Sequence, residues 1–154
     1  MSNFVECSIL IQSIFIFSET GETSNVQKRW KIMENLYNEV YDLIKNETND
    51  NGTDFTSGKF NGLGWYFYHY KCSTHDGPYP RIALKQQKNG VHVYTALWEN
   101  NRSILQEYED VFGKSNLGQG CIRLKKLTPE RQKALREILG KARARNLRDS
   151  VSNS

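Results

Sequence analysis

Gly113 to Leu139, GKSNLGQGCIRLKKLTPERQKALREIL, reads as a loop, a strand and a capped helix in succession. Ile122 and Leu124 alternate with Arg123 and Lys125, the period-2 pattern of a strand with one buried face. Thr128 suits a helix N-cap with Pro129 at the first helical position, and Leu135, Ile138, Leu139 and Ala142 then recur at helical spacing. One short segment therefore sets the inward face of a strand and the helix beside it. No catalytic motif appears in it or elsewhere.

Outward from this stretch, Gly113 is the stop of a helix predicted over Asn101 to Phe112, with Ile104, Leu105, Tyr108, Val111 and Phe112 as its apolar stripe. Before it, Arg81 to Gln87 and Val91 to Leu97 read as two strands joined at Asn89-Gly90, the strongest hairpin signal in the chain. Residues 73–80, STHDGPYP, read as a turn, and from Gly64 the run Trp65 to Tyr70 reads as a further strand. Residues 46–62, rich in Asn, Gly and Thr, are expected to form a long surface loop. The first helix is predicted from Asn25 to Asn46: Ser24 and Gln27 make a capping-box pair, and Val26, Trp30, Met33, Leu36, Tyr37, Val40 and Ile44 follow at 3.6 spacing. Residues 18–25 are a turn-rich break, and 4–17 read as a strand or a short buried helix, with Ile, Val and Phe favouring a strand.

This order, helix first and helix last with hairpin-linked strands between, predicts an α+β fold: an antiparallel sheet with helices packed on one face. Such a sheet often leaves its other face toward water. A chain of 154 residues fits one domain. That domain is placed at 24–148, with 1–23 as an extension and 149–154 as part of a tail expected to fray after about Asn146.

Charge is unevenly spread. Residues 1–54 hold four Lys/Arg against nine Asp/Glu, whereas residues 123–148 hold ten against two. The basic end is the better candidate for an anionic partner, though a charge run is often only a solvated helix face. Cys7, Cys72 and Cys121 form no CxxC pair, which suggests reduced thiols in a cytoplasmic protein. The apolar runs near the start are too short to span a bilayer and lack the basic flank of a signal peptide.

The run KNGVHVYTALWENNRSILQEYEDVFGKSNLGQGCIRLKKLTPERQKALREILGKARARN, Lys88 to Asn146, resembles the C-terminal half of the YdhG-like domain family. That family shows a short hairpin, a strand, a helix, a glycine-flanked strand and a last helix. Gly118 and Gly120 hold the glycine places and Ile122-Arg123 the next two, while Leu124 replaces the usual aromatic. The likeness covers roughly residues 64–146 and implies a YdhG-like or frataxin-like fold. One branch of the family looks like frataxin and is associated with carrying iron inside bacterial cells, so the resemblance implies an iron-chaperone role. The acidic residues of the first helix are then the metal candidates, with Glu39 and Asp42 at i, i+3 on its polar face.

Other candidates come from the residues themselves. His69, Cys72, His75 and Asp76 have metal-ligand side chains; on a continuous strand His69 and Cys72 lie on opposite faces, whereas a strand ending at Tyr70 would let the turn bring them together. Cys121 suits a nucleophile with His92 as base only where their strands are neighbours. The outward sheet face is richer. With Ile82, Leu84, Val91, Val93, Ile122 and Leu124 inward, Arg81, Ala83, Lys85, His92, Tyr94, Ala96, Cys121, Arg123 and Lys125 point outward. Aromatic and basic side chains together on an open sheet suit nucleic-acid bases or a small planar anion. A covering helix or partner subunit is the plainer reading of that face.

Two functions follow from the sequence. The first is a non-enzymatic cytoplasmic binding domain acting as an iron chaperone, with iron as its cargo. The alternative is nucleic-acid or small-anion binding through Arg81, Lys85, His92, Tyr94, Arg123 and Lys125. A homodimer is also expected, because residues 4–17 carry apolar side chains on both strand faces.

Overall fold

Alternation of apolar and polar residues produces a five-stranded antiparallel sheet in a computed structural model that describes residues 21–152. Its strands are β1 (Thr53–Ser57), β2 (Phe60–Lys71), β3 (Asp76–Gln87), β4 (Gly90–Thr95) and β7 (Cys121–Leu124), hydrogen-bonded in that order. Between β4 and β7 lie a small hairpin of β5 (Trp98–Glu99) and β6 (Arg102–Ser103), a 3-10 turn at Ile104–Tyr108 and a short α2 (Glu109–Phe112). The long helices are α1 (Gly21–Thr48) and α3 (Pro129–Ser152). The expected α+β plan, helices on one face of an antiparallel sheet, holds over the described residues.

Register explains the buried face. Leu63, Leu84, Val93 and Ile122 stand in one row across four strands, and Val91 lies opposite Leu124. Against them pack Leu36, Val40, Leu43 and Ile44 of α1 and Ala134, Leu135, Ile138, Leu139 and Ala142 of α3. Each fully buried Leu, Ile or Val contributes roughly 1.5–3 kcal/mol. Thr128 caps α3 as expected, its Oγ1 accepting from the Arg131 amide at 3.4 Å.

The chain divides after Asn35 into two units, and α1 enters the second at Leu36. Within Leu36–Ser154 the predicted stripe is correct at Leu36, Val40 and Ile44, with Leu43 added. In the first unit Val26 and Trp30, expected to be apolar contacts, are 57% and 62% exposed. The segment 4–17 lies outside the described residues.

Three further expectations are corrected. Residues 46–62 are not one loop: β1 and the start of β2 form a hairpin through Gly58, whose φ of 56° suits glycine. The Asn/Gly/Thr composition hid this strand, which is anchored by the Phe55 and Phe60 rings at 5.8 Å. The turn 73–80 ends at Asp76, where β3 begins. Its prolines fit because β4 pairs with β3 only from Ile82 to Gln87, so Pro78 and Pro80 have a single partner strand. Residues 101–103 do not start a helix, because Asn100 and Asn101 take left-handed φ values of 50° and 60° and close the β5–β6 turn. The last helix, α3, is helical to Ser152, and its Asp149 carboxylate pairs with Arg81 of β3.

Candidate functional site on the open sheet face

The strand face turned away from the core carries a basic row and an aromatic cleft side by side. Lys85, His92 and Arg123 are direct cross-strand neighbours on β3, β4 and β7. Two residues along, on the same face, Ala83, Tyr94 and Cys121 form the adjacent row. Alternation on the three strands fixes both rows, as the sequence predicts.

Around the second row, aromatic side chains crowd together. Phe60 meets Tyr94 edge-on at 5.1 Å, and Phe55 meets Tyr79 edge-on at 5.5 Å. Such edge-to-face contacts are worth about 0.5–1.5 kcal/mol beyond burial. The small residues Ala83, Ala96 and Gly120 leave room between these rings and Trp98, and the result is a cleft of about 480 Å³. Trp98 is 45% exposed, so one large ring at the rim keeps an accessible surface. Burial pushes the Tyr94 and Tyr68 phenols up, so both stay neutral near pH 7.

In the basic row, Lys85 Nζ donates to the Lys59 carbonyl at 3.0 Å and lies 5.5 Å from the Phe60 ring centre. One such bond leaves an ammonium two further donors. Arg123 donates to the Ser115 carbonyl at 3.2 Å and is exposed. His92 Nδ1 sits 3.5 Å from the Tyr94 hydroxyl. Partial burial, then Arg123, then Lys85, push the imidazole below its ordinary range and favour the neutral ring. Lys125 lies just beyond β7, and with Lys88, His92 and Arg123 it lines a second basic recess.

Arg81 departs from the predicted face. The pairing of β2 with β3 skips Tyr66 and Arg81, and Tyr66 has a φ of 56°. This break in alternation turns Tyr66 to the core side and lets Arg81 reach Asp149 on α3. Arg81 is 4% exposed and lies 4.1 Å from the centre of the Tyr68 ring. Burial lowers its pKa, and Asp149 opposes that. A positive φ at a tyrosine has no signal in sequence.

The remaining candidates are placed apart from this face or lack activation. Glu39 and Asp42 are exposed on α1. Among the described residues no group of three or more His, Cys, Asp or Glu is gathered around one point. The Asp76 carboxylate is shared by His69 at 2.8 Å and Lys71 at 3.2 Å, while Cys72 contacts Thr74 at 3.5 Å. Cys121 is on a strand next to that of His92, as a thiol–imidazole pair requires, but its direct partner is Tyr94. Burial pushes the Cys121 thiol up, opposite to the shift that makes a nucleophile. Sequence reasoning missed Phe55, Phe60, Tyr79 and Trp98, because β1 and the first part of β3 read as loop and turn.

No family model, curated protein or solved structure matches the chain. The YdhG-like resemblance therefore rests on the residues quoted for it. Among the described residues no helix is long and apolar enough to cross a membrane.

Proposed function

We propose that the protein is a binding domain for single-stranded nucleic acid, seated on the open face of the sheet. The observation that carries this reading is the adjacency of the Lys85–His92–Arg123 row to the aromatic cleft. Cations track a phosphate backbone, and exposed rings take bases by stacking, at about 1–3 kcal/mol per base. The ligand is single-stranded because a duplex hides its base faces, whereas a splayed strand offers them to a sheet. Iron carriage, the other function expected from the sequence, draws no support from Glu39 and Asp42, two exposed carboxylates without a third ligand among the described residues.

Fluorescence anisotropy with labelled twelve-residue RNA and DNA strands tests this at low salt. Binding is expected for the wild type, with a loss of about tenfold or more in a Lys85→Ala/Arg123→Ala variant. Absence of binding to both strands at 20 mM salt would overturn the assignment.

A further inference from the structure

Beside the aromatic cleft runs a second groove of about 540 Å³, and the two share Tyr68, Tyr70, Ala96 and Trp98 as a common wall. Arg81, whose side chain is 5% exposed, is part of its lining. A guanidinium this deep must be paired, because an unpaired buried charge is costly. Its partner is the carboxylate of Asp149, which is 42% exposed and belongs to the last turns of α3. The pairing is incomplete: Arg81 Nε has no hydrogen-bond partner among the described residues. Arg145 lines the same groove and adds positive charge near Arg81, while Lys141, also in the lining, is paired with Glu107 at 2.7 Å.

Tyr68 connects the two spaces. Its ring lies against the Arg81 guanidinium at 4.1 Å and also lines the cleft where bases would stack. A planar ligand in the cleft thus lies one ring away from an arginine whose paired carboxylate, Asp149, is itself half exposed. A guanidinium fork matches carboxylate and phosphate alike. Asp149, half open to solvent, holds the position a ligand oxyanion would take.

We propose that Arg81 is an oxyanion receptor for a ligand whose ring lies in the aromatic cleft, and that Asp149 is an intramolecular stand-in displaced when that ligand binds. This inference rests on the nucleic-acid reading for the ligand's class, a nucleotide phosphate, and adds a phosphate subsite separate from the Lys85–His92–Arg123 row. Asp149 makes the site self-blocking: its carboxylate keeps Arg81 neutralised while the groove is vacant and competes with weak anions.

The test follows the Arg81 Nε–H resonance in full-length ¹⁵N-labelled protein during titration with uridine 5′-monophosphate, uridine and inorganic phosphate. The expected result is a saturable shift with the monophosphate, none with uridine, and a much weaker response to phosphate alone. A silent Arg81 signal, or equal responses to monophosphate and inorganic phosphate, would overturn the proposal. In parallel, Asp149→Asn removes the competing charge while keeping the side chain's shape. That variant is expected to bind the twelve-residue RNA about five- to tenfold more tightly, and to gain more in melting temperature from the monophosphate than the wild type does. Unchanged affinity together with an unchanged melting response would also defeat it. Strand binding with a silent Arg81 rejects this inference alone; an Arg81 response without strand binding rejects only the nucleic-acid reading.

Discussion

At the scale of single residues, two positions tie local chemistry to measurable outcomes. Gly52 has a φ of 81°, and a Cβ built on it would lie 2.6 Å from the Trp65 ring. That ring is buried, and its Nε1 donates to the Asp50 carbonyl at 3.0 Å, so it has no freedom to retreat. Gly52→Ala is expected to destabilise the fold by about 3 kcal/mol, from left-handed strain and overpacking together. Urea unfolding monitored by Trp fluorescence checks this, and a change under 1 kcal/mol contradicts it. His92 carries the pH dependence. Its folded pKa lies below the unfolded value near 6.5. The folded state therefore binds fewer protons between the two values, so this group's contribution to stability is full above about pH 6.5 and is lost as pH falls through the folded pKa. Protonation also adds a third cation between Lys85 and Arg123. Strand affinity is expected to rise from pH 7.5 to 5.5 as stability declines, and His92→Gln should flatten the affinity part of that trend. Residue positions were legible where alternation was unbroken, which is why Lys85, His92, Tyr94 and Arg123 fall on the expected face. Arg81 was not, because Tyr66 breaks the strand geometry through a backbone angle that its side chain does not announce.

At the scale of elements, legibility followed the strength of the local code. The β3–β4 hairpin, the Thr128-Pro129 start of α3 and the Ile122/Leu124 alternation each combine a turn or cap with a buried face, and each formed, the hairpin with Lys88 and Asn89 as its turn and Gly90 opening β4. β1 has only Phe55 among polar residues, and its pairing with β2 supplies what its own sequence lacks. The same holds for the β5–β6 hairpin, whose two-residue strands are held in place by their turn and by the bond from the Ile104 amide to the Leu97 carbonyl at 3.3 Å. This small hairpin carries Trp98 to the rim shared by both grooves. Trp65 is buried, whereas Trp98 is exposed and lines the cleft, so quenching by a stacked base should report mainly on Trp98. Trp98→Ala is expected to abolish most of the strand-induced quenching and to weaken RNA binding by about tenfold, the loss of roughly one stacked base. Full quenching in the variant would place the base elsewhere.

At the scale of the molecule, the distribution of charge decides what kind of anion this face takes. The sheet contributes Lys85 and Arg123 along one line, and the basic groove beside α3 contributes at least one further cation near Arg81. Neutralising about three phosphates on a single strand gives a slope of log affinity against log salt near −2, from about −0.7 per phosphate. Affinity should then fall roughly twentyfold between 50 and 200 mM salt. A Lys85→Ala variant removes one of these contacts and should make the slope shallower by roughly 0.7, while leaving the preference among strand sequences nearly unchanged, because phosphate contacts position a strand without reading it. The aromatic cleft adds a term that salt does not screen, and only an unstacked base can use it. A duplex of the same length should therefore keep the salt-sensitive part and lose the stacking part, binding more weakly than the single strand at 200 mM salt by a factor on the order of ten. Equal binding of duplex and single strand at that salt would show that the rings take no bases, and would reduce the site to a basic surface.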